Sequence, residues 1–249
     1  MNKPWNVKLD DDRYADSLPI FIIFCEDEIS EPIYFKYFET SNIKVNIVKK
    51  QKSKIDNVLR AICYCTDKGF IKPNNGVSCL QNDDIHIWCV FDRDIEETSQ
   101  KIKLGNVSFN ESIKTAEASS IKTAWSNDAF ELWILLHFED VDINNNDYKN
   151  RKTYYKRLTE IFKNLPNPNE DLIKSLAHLS FSYKQDLKHK NNFRNIVRNE
   201  IINKTNNALK RAKALEKHYK SNTANHEKAP CTLVHHLIDE LVRIGGKKI

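Results

Sequence analysis

The sequence predicts an α/β protein with a mostly parallel sheet flanked by helices and a helical C-terminal region, and three observations carry that prediction. Short apolar runs rich in β-branched and aromatic residues alternate with amphipathic stretches through the first half of the chain. Only five Gly and seven Pro occur in 249 residues, too few for a sandwich of many short strands and tight turns. Beyond Glu139 the pattern turns helical. An α/β core over 1–140 is therefore expected, with a basic helical region over 141–249 packed against it.

Each element follows in order. FIIFC (21–25) is apolar on both faces, as a strand inside a parallel sheet must be. Ser30 reads as a helix N-cap, with Glu31 and Pro32 in the first turn ahead of IYFKYFE. KVNIVKK (44–50) alternates Val45 and Ile47 and forms the second strand. Ile55, Val58, Leu59, Ile62 and Cys63 then lie on one stripe of an amphipathic helix. DIHIWCVF (84–91) is a third, central strand. A short charged helix over Glu96–Leu104, a fourth strand IKTAW (121–125) and a strongly apolar helix AFELWILLHF (129–138) complete the core. Strands joined through helices require right-handed crossovers, hence parallel pairing. The Asn-rich DINNNDYKN (142–150) reads as a loop, and Leu233, Val234, Leu237, Ile238 and Leu241 share one face of a last helix.

Composition excludes several classes. Hydrophobic residues make up 40% and charged residues 29%, enough core to fold and too little charge for global disorder. The longest apolar runs, 21–25 and 132–138, are far too short to span a bilayer, and no membrane association is expected. The first twenty residues carry four acids and no apolar stretch, so they do not read as a signal peptide. Of six cysteines, Cys25 and Cys89 fall in strands and Cys63 on an apolar helix face, which is the placement of reduced core thiols in a cytoplasmic protein. Cys63 and Cys65, with distant Cys231, His235 and His236, lack zinc-site spacing. Neither a GxxxxGK[ST] nor a GxGxxG motif is present.

Charge is unevenly distributed. Between Lys184 and Lys220, eleven cations face three acids, a net +8 that leaves −3 of the chain's +5 for the rest. Lys188, Lys190, Arg194, Arg198, Lys210, Arg211 and Lys213 are candidates for gripping a polyanion; the alternative is a solvated helix surface.

Three segments could carry chemistry. Glu26 directly follows the first strand, and ligands of parallel sheets collect at the carboxyl ends of strands. Asp27 and Glu28 add charge beside it. In VFDRD, Asp92 and Asp94 end the third strand two residues apart, so both carboxylates are expected on one side, with Arg93 turned away or reaching for phosphate. Paired carboxylates are unfavourable without a cation, and oxygen donors of this kind suit Mg2+ or Mn2+. Glu131 lies within an apolar helix, where it needs either a salt bridge or a metal. His137 at that helix's end reads as a packed histidine.

Together these segments resemble the RloB family of bacterial phage-defence proteins, related to the abortive-infection component paired with an ATPase in AbiL-type systems. CEDEISEPIYF (25–35) is similar to the family's C-E-G-E-x-T-E-x-x-Y-F, and WCVFDRD (88–94) follows it. SNDAFELWILLHF (126–138) resembles S-N-P-x-F-E-L-W-x-L-L-H-F, and ALKRAKAL (208–215) and PCTLVHHL (230–237) match the family's close. The resemblance implies a TOPRIM-like sheet and metal-dependent chemistry on nucleic acid, RNA (tRNA included) or DNA, with a separate ATPase as partner. It makes Glu26 the characteristic glutamate and Asp92 and Asp94 the metal pair. In related nucleases of the OLD type a further carboxylate and a lysine complete the site, for which Glu131 and Lys184 are the candidates. Asp27 stands where the pattern has Gly, Asp128 replaces a Pro, and an arginine-rich start is missing. Two rival readings stay open. One is a phosphatase of the haloacid-dehalogenase type with Asp92 as nucleophile and Asp94 as acid/base, which requires a Thr or Ser at a second strand end. The other is a non-catalytic sensor subunit that binds nucleic acid, nucleotide or the ATPase.

Overall fold

A computed structural model of the chain describes residues 18–51, 54–74, 77–95 and 98–249. Residues 1–17, most of the stretch read for a signal sequence and for an arginine-rich start, and Glu96 at the head of the expected charged helix lie outside the described residues. A five-stranded sheet runs β2-β1-β5-β6-β7, from β1 (Ile20–Cys25), β2 (Lys44–Val48), β5 (Ile85–Asp92), β6 (Lys122–Asn127) and β7 (Cys231–Thr232). The first four strands are parallel and β7 is antiparallel to β6. Between them come α1 (Ser30–Lys36), α2 (Ile55–Asp67) and α3 (Ser99–Ala118). A separate antiparallel hairpin, β3 (Ile71–Asn74) and β4 (Val77–Leu80), was not legible in the sequence because its four-residue strands are too short to show alternation.

Alternation along each strand builds two cores. Phe21, Ile23, Cys25, Trp88, Val90 and Ala124 point to one face and meet α1. Ile22, Phe24, Ile87, Cys89, Phe91 and Trp125 point to the other and meet α2 and α3. The first core continues into α4 (Glu131–Leu135), α5 (Arg151–Lys163) and α6 (Glu170–Leu176). It goes on through the π-helical turns Tyr183–Leu187 and Phe193–Val197, interleaved with α7 (Lys190–Asn192) and α8 (Arg198–Ile202), and ends on α9 (Thr205–His218) and α10 (Val234–Gly245). Gly245 closes the structure against the β1–β2 connection: its carbonyl accepts Thr40 Oγ1 at 2.9 Å and Asn42 Nδ2 at 3.2 Å.

Several elements depart from expectation. α3 is twenty residues long, starting at the Thr98 cap, because Phe109, Ile113 and Ala116 bury a face that the charged residues mask in sequence. On α2 the buried stripe is Asn57, Val58, Ala61 and Cys65, while Leu59 and Cys63 are exposed. Asn57 sets that rotation, donating to the Val90 carbonyl at 3.0 Å. Ser30 is the first helical residue of α1 and makes no cap. Asp27 takes that role: its carboxylate accepts the N–H groups of Glu28 at 2.6 Å, Ile29 at 3.1 Å and Ser30 at 2.7 Å. β7 adds a strand to a region that reads as wholly helical; two residues carry no period. Among the described residues no helix is long and apolar enough to cross a membrane.

Candidate functional site

Parallel register brings the two acidic segments to one edge of the sheet. Cys25 pairs with Val90, so Glu26 leaves β1 where Asp92 ends β5. The Glu26 N–H donates to the Val90 carbonyl at 3.2 Å, and Glu26 Oε2 accepts the Asp92 N–H at 3.3 Å. Asp92 in turn accepts the Phe130 N–H at 3.0 Å, at the head of α4. The strand ends at Asp92, and Asp94 adopts φ +52°, so strand alternation does not extend to the second aspartate. Arg93 turns to the far face, donating to Asn106 from Nε at 3.1 Å and Nη2 at 2.8 Å, and to Asn127 from Nη1 at 2.8 Å.

The carboxylates form one electrostatic group. Burial, reinforced by Asp94, pushes Glu26 up to about 7. Burial, then Asp94, Glu26 and Glu131, pushes Asp92 well above the usual carboxylate range. Glu31, 1% exposed on α1, joins them: burial, then Asp92, Asp27 and Glu26, raises it too, and it accepts the Asp27 N–H at 3.2 Å. Their oxygens are spread rather than clenched. Among the described residues only Glu216, His235 and His236, elsewhere in the fold, bring three ligand atoms within 4.8 Å of one another.

Two cations stand at the rim. Arg151, at the start of α5, reaches Asp94 at 2.5 Å and Asp128 at 2.6 Å. Asp128 is 1% exposed and also accepts the N–H groups of Ile95 at 2.8 Å and Arg151 at 2.7 Å, so it clamps the turn that carries Asp94. Lys188 pairs with Glu131, itself 2% exposed, at 2.6 Å. Lys184 is exposed and lies 5.6 Å from the centroid of the Tyr155 ring, as does Lys188. His137 is packed: its Nε2 lies 3.1 Å from the Tyr34 hydroxyl, and burial lowers it to about 3.

The remaining basic residues separate by environment. Arg194 and Arg198 line a groove of about 750 Å³ with Lys36, Lys49, Tyr37 and Tyr64, beside the β2 edge. Lys190 and Lys210 are exposed. Arg211 meets Asp140 at 2.9 Å and Lys213 meets Asp239 at 2.7 Å. Glu31, Asp128 and Arg151 carry no site signal in the sequence. Glu31 reads as an ordinary first-turn acid, and Arg151 follows a polar loop with nothing in its neighbours to tie it to Asp94.

These features define an α/β protein with buried, mutually repelling carboxylates at the carboxyl edge of a parallel sheet, a donor set of hard oxygens suited to Mg2+ or Mn2+. Residues 21–241 match the family described as RloB-like protein, and the chain belongs to that family. No curated protein and no solved structure matches it.

Proposed function

We propose that the chain cleaves phosphodiester bonds in nucleic acid, RNA or DNA, using Mg2+ or Mn2+ held by Glu26, Asp92 and Asp94. One observation carries the reading: the strand register sets the buried Glu26 and Asp92 side by side at the carboxyl edge of the sheet, where burial and the nearby Asp94 raise both, an arrangement that a cation would relieve. When bound, such an ion polarises a phosphate and lowers the pKa of attached water. The Asp92, Glu26 and Asp94 carboxylates would supply its ligands, while Glu131 beside them is engaged by Lys188. Asp128 holds the Asp94 turn, and Arg151, once Asp94 faces a cation, has donors for a phosphate oxygen. Lys184, above Tyr155, would answer charge building on the phosphate. The groove with Arg194, Arg198, Lys36 and Lys49 offers cations and two tyrosines to a strand leading away. Anti-phage abortive infection, with a separate ATPase as partner, is the setting the family resemblance implies.

A second reading draws on the grip of Arg151 on Asp94, which neutralises one expected ligand without metal. On that reading the chain binds nucleic acid or nucleotide for its ATPase without cutting. The phosphatase reading is weaker. Ser126 does lie in register with Asp92, but its hydroxyl is engaged with Thr232 at 3.0 Å, and Glu26 is left without a role.

Incubation with plasmid DNA and total tRNA, with Mg2+ or Mn2+ and with chelator, separates these readings. Cleavage should require metal and fall at least about 100-fold in a folded Asp92→Asn variant. Binding without cleavage under every condition supports the sensor; cleavage unchanged by Asp92→Asn removes the assignment.

A further inference from the structure

We propose that Glu216, His235 and His236 form a second metal site, suited to Zn2+, that fastens the end of α9 to the start of α10. Glu216 lies in the last turn of α9 and the two histidines in the first turn of α10. His235 Nε2 lies 2.9 Å from Glu216 Oε2, and His236 Nε2 lies 3.0 Å from Glu216 Oε1. All three ligand atoms fall within 4.8 Å of one another. A tetrahedral zinc wants its ligand atoms roughly 3.3 Å apart, close to the two His–Glu separations and within reach of the 4.8 Å that bounds all three.

The hydrogen bonding of His235 points to a cation. Its ring is completely buried, and Nδ1 lies 3.0 Å from the Thr232 carbonyl. A carbonyl only accepts, so Nδ1 carries the hydrogen and Nε2 of the neutral ring presents a lone pair. That lone pair faces a carboxylate oxygen, and two acceptors at hydrogen-bond distance need a positive charge between them. A metal ion satisfies both groups, and the Thr232 carbonyl is the outer partner that fixes a ligating histidine's tautomer. The side chains of His236 and Glu216 are 47% and 37% exposed, which leaves solvent to complete the coordination. Cys231 is not among the clustered ligands. Spacing in the sequence gives no zinc pattern here because the third ligand stands nineteen residues before His235.

The test uses the full chain, stripped with chelator and titrated with Co2+ and then Zn2+. One equivalent of Co2+ should give the strong visible absorption of a four-coordinate site, be displaced by Zn2+, and raise the melting temperature. Oxygen-only octahedral coordination absorbs weakly, so the sheet-edge carboxylates do not mimic this signal. Glu216→Gln and His236→Asn, both at partly exposed positions, should each weaken binding at least tenfold, whereas Asp92→Asn should leave it unchanged. Absence of the band in the wild type overturns the proposal, as does a band that survives both variants at unchanged affinity or disappears with Asp92→Asn.

Discussion

Toward the amino end of the strands, Glu240 accepts Trp88 Nε1 at 3.0 Å and Lys122 Nζ at 2.6 Å, and lies 3.0 Å from His86 Nδ1. At the carboxyl end, Glu26 accepts one main-chain N–H, at 3.3 Å. Burial opposes ionisation at both. At Glu240 the bonds from His86 and Lys122 prevail and bring it down to about 2, while at Glu26 burial and Asp94 prevail and lift it to about 7. The comparison separates a carboxylate held ionised by neighbouring cations from one that burial and Asp94 keep protonated up to about pH 7. Only the second kind costs the fold something when ionised, and it sits at the end of a parallel sheet where ligands commonly gather. A cavity of about 1000 Å³ beside Glu240, lined also by Trp88 and Lys122, does not alter this. Its glutamate is already satisfied.

The comparison can be broken first at its rim. Arg151→Ala removes the guanidinium from Asp94 and leaves Asp128 buried without its ion pair, which should destabilise the protein by about 3–5 kcal/mol. Chemical denaturation at pH 7 measures this, and a loss below about 1 kcal/mol would show that the clamp is dispensable. At the balanced end, Glu240→Gln should cost about 1–3 kcal/mol at pH 7. Because the folded pKa is depressed to about 2, that stabilisation is full above the unfolded value near 4.5 and disappears as pH falls toward 2. Variant and wild type should therefore converge in acid.

The unbalanced end gives the smallest effect and the opposite sign. Glu26 has a raised folded pKa of about 7, so its contribution is full below the unfolded value near 4.5 and is lost as pH rises through 7. Glu26→Gln should stabilise the metal-free protein at pH 8, by about 1 kcal/mol, and make no difference at pH 4. Mn2+ should reverse the order, stabilising the wild type more than the variant, with affinity rising between pH 6 and 8 as Glu26 gives up its proton. Calorimetric titration at those two pH values checks the sign.

Much of the fold was legible because burial on both faces leaves a plain record. FIIFC and the apolar end of DIHIWCVF declare central strands, and the register between them follows. Glu26 and Asp92 were legible for the same reason, since a carboxylate at the end of such a strand has little freedom of place. Arg151 and Glu31 were not, because their partners are set by tertiary contact and their local sequence is ordinary. The sequence around Glu131 fits a salt bridge or a metal equally, because its partner Lys188 stands fifty-seven residues along the chain. Asp27, which reads as an odd substitution for Gly, spends its carboxylate on the N–H groups that open α1.

The antiparallel pairing of β6 with β7 has a consequence for synthesis. Asn127 finds Cys231 more than one hundred residues later, so the flank of β6 emerges from the ribosome long before its mate exists. At about 5–20 residues per second that wait lasts roughly 5–20 s. During it, the end of β6 at Ser126 and Asn127 would present open N–H and C=O groups, the kind of strand edge that is open to mispairing.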